Sequence, residues 1–327
     1  MVEVGKDYVA RAIVGAEDAG QRLDNYLLRV CKGVPKSHVY RIIRRGEVRV
    51  NGRRADASDR VESGDTLRIP PLRVARRPEE IAAGAQIKAD LPIVYEDESM
   101  LVIDKPAGIA VHGGSGVDFG VIEALRRQRP QARFLELAHR LDRETSGLLL
   151  VGKKRSALRV LHDMFREGGP GREIDKRYLL LVRGRWMEPA RKVELPLCKY
   201  LLESGERRVR VASGGKPSQT LFRLVTRWES FSLLEARLRT GRTHQIRVHC
   251  AHLGFPIAGD EKYGDFALNR LLQKEGLKRM FLHAWKMRFP HPASGEGVAL
   301  QAPLPDALRD FLKKLSDREA LDHGQAF

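Results

Sequence analysis

The segment His139-Arg140-Leu141-Asp142-Arg143-Glu144-Thr145-Ser146-Gly147 sets a carboxylate, Asp142, between two arginines on a loop that opens into the apolar run Leu148–Val151. Loops at strand edges are where reactive side chains are held rigidly. A neighbouring cation favours the ionised form of a carboxylate, and an ionised carboxylate is a nucleophile or a base. Taken alone, the pattern fits a structural salt bridge as well as catalysis. A second cluster runs Arg239-Thr240-Gly241-Arg242-Thr243-His244-Gln245-Ile246-Arg247-Val248-His249 and continues to Gly259-Asp260-Glu261-Lys262-Tyr263-Gly264. Arg239, Arg242, His244 and Arg247 suit a phosphate-rich surface, and the interleaved Gly, Thr and Gln do not suit a merely solvated basic strand. The set His244, His249, Cys250 and His252 has no C-x-x-C companion and no acidic second shell nearby, so no metal is expected. Gly113-Gly114-Ser115-Gly116 lacks the Lys-Ser/Thr of a P-loop and is expected to be a surface loop. No G-x-G-x-x-G opens a helix after a strand, which argues against a Rossmann-type cofactor.

These residues need elements to hold them. Leu23, Tyr26, Leu27 and Val30 fall at helical spacing, and after a Gly33-Val34-Pro35 break Val39, Ile42 and Ile43 repeat it up to Gly46. Arg41, Arg44 and Arg45 lie on the other face of that second helix. Asn51-Gly52 marks a tight hairpin, and Thr66–Ile69 a strand. Residues 1–72 are therefore expected to form a small α/β RNA-binding domain. Arg73–Asp90 is expected to be a linker, and 91–327 a second domain. In the second, apolar runs recur at Leu101–Ile103, Leu148–Val151, Tyr178–Val182, Leu221–Val225 and Leu233–Leu238. Helical stretches fall around Val121–Arg129 and Ser156–Arg166, with Ser156 as the expected N-cap. Several gaps are too short for crossover helices, so the expected class is α+β with a mixed, mainly antiparallel sheet.

Composition narrows the partners. The 327 residues carry 59 Lys and Arg against 42 Asp and Glu, a net charge of +17. Between Gln21 and Arg77 there are 15 basic and 6 acidic residues, so more than half of the surplus sits in the first domain. Such clustering points to a polyanion, since neutralised phosphates release counterions. No apolar run is long enough to span a membrane, and Met1–Gly20 lacks the apolar core of a secretory signal. Three scattered cysteines do not make a disulfide framework. A cytoplasmic protein, monomeric by default, is expected.

Together, HRLDRETSGLLL, KRYLLLVRG, RTGRTHQIRVHCAHLGFPIAGDEKYG and the earlier LVIDKPAG (Leu101–Gly108) resemble the ribosomal large-subunit pseudouridine synthase family. Gln21–Pro70 resembles the alpha-L RNA-binding domain. The resemblance covers roughly Ala19 to Leu304, and the ordered set of motifs is specific where the basic module alone is not. It implies a pseudouridine synthase fold and isomerisation of uridine in large-subunit (23S) ribosomal RNA without a cofactor. It makes Asp142 the catalytic aspartate, Tyr178 the active-site tyrosine, Arg247 the arginine paired with the aspartate, and Arg140 the arginine that approaches the space of a flipped nucleotide. Glu144 stands where Asp is common in that family. Arg239, Arg242 and His244, with Arg41, Arg44 and Arg45, are the remaining expected RNA contacts. Two rivals remain at this level: a non-catalytic ribosome-assembly protein, and a methyltransferase borrowing the same module. The ordered Asp/Tyr/Arg set argues against the first, and the missing glycine-rich cofactor loop against the second.

Overall fold

The computed structural model describes residues 8–31, 34, 36–72, 91–113, 119–166 and 174–324. The chain divides into two compact units, Met1–Gln86 and Ile87–Phe327. The expected linker Arg73–Asp90 lies outside the described residues, as do Gly33 and Pro35 of the helix break and Gly114-Ser115-Gly116 of the glycine run.

In the first unit, α1 (Leu23–Val30) and α2 (Lys36–Arg44) cover an antiparallel sheet of β1 (Ala10–Ile13), β2 (Arg49–Val50), β3 (Arg53–Arg54) and β4 (Thr66–Ile69), in the order β1-β4-β2-β3. Leu23, Tyr26, Leu27, Val39, Ile42 and Ile43 share one core with Ala10, Ala12, Leu67 and Ile69, which is the apolar stripe read from their spacing. Helix α2 stops at Gly46, whose φ of 69° only glycine adopts without strain. There Glu47 N–H reaches Ile42 O and Gly46 N–H reaches Ile43 O. Asn51 and Gly52, both at positive φ, make the turn between β2 and β3.

Among the described residues the second unit is built on a ten-stranded sheet. In chain order it runs β5 (Ile93–Glu96), β6 (Met100–Lys105), α3 (Val121–Gln128), β7 (Glu136–Leu137), β8 (Ser146–Gly152), α4 (Arg155–Phe165), β9 (Asp175–Arg183) and β10 (Ala190–Glu194). A separate hairpin of β11 (Leu197–Leu201) and β12 (Arg207–Val211) follows. Then come β13 (Gln219–Arg227), β14 (Phe231–Leu238), α5 (Gln245–His252), α6 (Phe266–Lys274), β15 (Leu282–Pro290), β16 (Gly297–Gln301) and α7 (Asp306–Gly324). The main path is β10-β13-β14-β9-β15-β8-β6-β5, with β16 on β15 and β7 on β8. Among the pairings of the described residues only β15–β8 is parallel. The fold is therefore α+β with a mixed, mainly antiparallel sheet.

Both faces of the sheet centre are covered, which is why its strands read as unbroken apolar runs. On β8, Leu149 and Val151 face one core with α3 and α5, while Leu148 and Leu150 face another with α4. Leu181 of β9 packs with α6 and α7 on residues such as Leu272, Leu308 and Phe311. One sequence expectation is corrected: α4 begins at Arg155 with Lys154 at its N-cap, no side chain bonds there, and Ser156 already lies in the first turn.

Two histidines are sealed inside in the neutral form. His283 of β15 accepts from Ser146 Oγ at Nδ1 (2.9 Å) and gives Nε2–H to Ala302 O. His249 of α5 accepts from Thr220 at Nδ1 (3.0 Å) and donates to Ser218 at Nε2 (2.9 Å). Burial pushes both down to about 4. The unfolded chain therefore binds more protons than the folded one between pH 6.5 and about 4, so stability is lost as pH falls through that window. Each histidine contributes a slope of up to about 1.4 kcal/mol per pH unit. Chemical denaturation at pH 7.5 and pH 5 checks this, and replacement of either by an uncharged residue should flatten the dependence.

Candidate active site

Asp142 stands on the short loop ahead of β8, and the loop is fastened from several sides. Leu141 is buried, Thr145 N–H closes a turn on Asp142 O at 3.1 Å, and His139 accepts Leu150 N–H at 3.0 Å while stacking on Phe165. Gly147 has a φ of 110°, and a Cβ there would lie 2.2 Å from Ala284 O, so the close β15–β8 pairing requires glycine. Beneath the loop Lys105, at the end of β6, is wholly buried. Its Nζ donates to Pro106 O (2.8 Å), Ile109 O (2.9 Å) and Arg143 O (3.1 Å). Burial pulls this ammonium down to about 7, and three carbonyl acceptors match the three protons of its charged form. Lys105→Met should leave buried carbonyls without their shared donor. The expected cost is about 2 kcal/mol or more of stability, with a lower turnover rate as the Asp142 loop loosens; denaturant titration and single-turnover rates on one preparation check both.

The cation on Asp142 comes from across the fold rather than from its sequence neighbours. Arg143 Nε donates to Gly108 O, and the Arg140 side chain is exposed with no hydrogen bond or ion pair among the described residues. Arg247 of α5 instead gives Nη1 to Asp142 Oδ2 at 3.1 Å. Its other two nitrogens, Nε and Nη2, grip Asp260 at 2.7 and 2.8 Å. Asp260 is 1% exposed and also accepts from the backbone N–H groups of Lys262 and Tyr263. Burial alone would raise Asp260, but the Arg247 guanidinium overrides it and holds the carboxyl below its ordinary range. Arg247 is thus a fixed cation whose Nη1 is turned to Asp142.

His244 caps α5 in the left-handed region, at φ 54°, a strain that persists where surroundings over-determine it. Val209 N–H donates to the Tyr263 hydroxyl oxygen at 2.9 Å. The hydroxyl proton then goes to His244 Nδ1 at 2.8 Å. The ring N–H is left at Nε2, which faces Asp142 Oδ1 at 3.8 Å. Burial draws His244 below the usual histidine range against the pull of Asp142. Tyr178, on β9, is 8% exposed, and its hydroxyl makes no hydrogen bond among the described residues. Burial, and then the negative charge of Asp142, push its phenol up.

The start of α5 is tied to the sheet through Gln245, which accepts from Thr240 Oγ1 and Arg242 N–H and donates to Gln219 O and Thr220 Oγ1. Arg242 Nε rests on Pro217 O. Arg239 is exposed beside a cleft of about 510 Å³ that includes neither Asp142 nor Tyr178. Arg41, Arg44 and Arg45 are exposed in the first unit. Of the expected site residues, the fold brings Arg247 and His244 onto Asp142, with Tyr178 close by. It adds Lys105, Asp260 and Tyr263, which stood in quoted motifs without a role. For Lys105 and Asp260 the one local signal was a charged residue beside an apolar run, and Tyr263 had none.

Residues 99–252 match the RNA pseudouridylate synthase family and residues 21–67 the S4 domain. The chain is 53% identical over 308 residues to ribosomal large subunit pseudouridine synthase C of Escherichia coli O157:H7, covering 92% of this chain and 95% of that one. To the protein of the same name from Pasteurella multocida strain Pm70 it is 50% identical over 310 residues, 94% of each chain. Among solved structures, human RNA pseudouridylate synthase domain containing 4 is similar with a TM-score of 0.55 and 27% identity, over 69% of this chain and 93% of that one. The chain is a member of the RNA pseudouridine synthase family, an isomerase with an S4 RNA-binding domain at its N-terminal end.

Proposed function

We propose that this protein converts uridine to pseudouridine in large-subunit ribosomal RNA, with Asp142 as the catalytic carboxylate. The observation that carries the assignment is the 3.1 Å bond from buried Arg247 to Asp142, in a chain about half identical to relatives named for that substrate. The reaction breaks the C1′–N1 bond, turns the uracil and rejoins it through C5. Atoms and redox state are conserved, so no cofactor is needed. Cleavage builds positive charge at C1′, which a carboxylate stabilises or traps. Both routes open to Asp142, attack at C1′ and removal of the C2′ proton, set it against the ribose. Arg247 holds it there, and His244 Nε2–H offers a further donor on the same side.

The uridine must first leave its stack, at a cost of a few kcal/mol. Arg140, whose exposed side chain has no partner among the described residues, is the residue we assign to the gap and the splayed backbone. Arg239 and Arg242, with Arg41, Arg44 and Arg45 of the S4 domain, supply phosphate contacts.

Tyr178 stacks on the uracil. Its phenol is held protonated, so it acts as a relay toward Asp142 when the C5 proton leaves rather than as a free base. Tyr178→Phe should keep binding and glycosidic cleavage while completed pseudouridine falls by roughly 10²-fold or more. Product analysis of single-turnover reactions checks this, and unchanged turnover would leave Tyr178 as a stacking face only.

The assignment itself is tested by incubating the protein, without cofactor, with large-subunit RNA tritiated at uridine C5. Release of tritium supports it. No release from any fragment would favour a non-catalytic assembly protein.

A further inference from the structure

The S4-domain sheet carries an arrangement that the spacing of α2 did not show. Arg11 of β1 is the cross-strand partner of Arg68 on β4. Arg68 is also the partner of Arg49 on β2, and Arg49 of Arg54 on β3. Four arginines therefore stand in one row across all four strands. The residues beside them, Ala10, Ala12, Leu67 and Ile69, are buried, so the row occupies the opposite, outer face. Arg11, Arg54 and Arg68 are exposed and Arg49 is half-buried. At a strand spacing of about 4.8 Å the row spans about 15 Å.

Like charges directly opposed across strands destabilise a sheet, and the fold does little to offset them here. The side chains of Arg11 and Arg49 have no hydrogen bond or ion pair among the described residues. Glu47 faces Arg45 instead, at 3.8 Å. Asp65 accepts from Asn51 and from Glu62 N–H. Arg54 and Arg68 bond to Arg44 O and Glu47 O at the end of α2. Their guanidinium groups thus join the sheet face to the helix end where Arg44 and Arg45 are exposed.

We propose that this outer face is a second RNA-contacting surface, on which Arg11, Arg68, Arg49 and Arg54 bind consecutive phosphates of one RNA strand running across the sheet. The proposal rests on the RNA-substrate reading above and extends it. A phosphate backbone supplies the negative charge that the row lacks, and the planar guanidinium fork suits phosphate oxygens. Occupancy relieves the repulsion that the free domain tolerates.

The test uses the full chain and the double variant Arg11→Gln/Arg49→Gln, which spares the two arginines that bond to α2. Binding to a transcript of large-subunit ribosomal RNA is measured over a range of salt concentrations, with thermal midpoints alongside. The variant should unfold at the same or a higher temperature, bind more weakly, and show a log–log salt slope shallower by about 1.5, two contacts' worth. Arg11→Lys/Arg49→Lys should restore most of the slope. Parental affinity and slope in the glutamine variant, while Arg41→Gln/Arg44→Gln weakens binding, would overturn the sheet-face proposal and leave the substrate reading standing. A lowered midpoint would make the row structural and overturn it too. If the parent chain itself shows no salt-dependent RNA binding, both readings fail. Lost binding to anionic phospholipid vesicles with RNA binding unchanged would assign the row to a membrane surface instead.

Discussion

Asp142→Asn is expected to fold and bind RNA like the parent chain and to lose pseudouridine formation by roughly 10³-fold or more. The amide keeps the shape and an oxygen for Arg247 Nη1, and Arg247 stays anchored by its two bonds to Asp260. What disappears is the negative charge and the basic oxygen that the ribose meets. Binding curves and single-turnover rates on the same RNA separate the two properties. Retention of more than a few per cent of the parental rate would remove Asp142 from the assigned role.

Asp260→Ala is expected to have the largest effect on stability. Removing the carboxylate leaves the Arg247 guanidinium, 5% exposed, without the partner that takes two of its donors. The backbone N–H groups of Lys262 and Tyr263 lose their acceptor as well. Breaking a buried ion pair from one side costs about 3–5 kcal/mol, which for a domain of this size lowers the thermal midpoint by roughly 10 °C. Turnover of the folded fraction should fall too, since Arg247 no longer has a fixed place from which to hold Asp142. Calorimetry and kcat together test this. A midpoint within a degree or two of the parent would show that Arg247 is held by other means.

The elements legible in the sequence were those whose surroundings are uniform. Strands β6, β8, β9 and β14 announced themselves as apolar runs because helices or other elements cover them, β13 did so although its Leu221 and Val225 are exposed, and α1 and α2 because each packs one face on a small sheet. Helix α5 did not. Residues 245–250 are all buried, so no apolar stripe separates an inner from an outer face. Its polar members are satisfied by distant partners: Gln245 by Thr220 and Gln219, Arg247 by Asp142 and Asp260, His249 by Ser218 and Thr220.

Lys105 escaped notice for the same kind of reason. A lysine is ordinarily a surface residue, and only the convergence of three carbonyls from two loops makes its burial tolerable. Asp142 was visible as a carboxylate in a charged loop. Its partner was visible through motif resemblance alone, because Arg140 and Arg143 were the nearer cations in sequence and neither holds it. The arginine row of the S4 sheet depends on strand register across four strands, two of them only two residues long, which spacing along the chain does not report.

The most direct measurement of the central claim is a map of pseudouridines along large-subunit ribosomal RNA from cells lacking this gene, complemented with either the parent chain or Asp142→Asn. The account predicts that specific pseudouridines vanish on loss of the gene, return with the parent chain, and stay absent with Asp142→Asn although that protein accumulates and binds RNA. An unchanged map without the gene, or full restoration by Asp142→Asn, would contradict it.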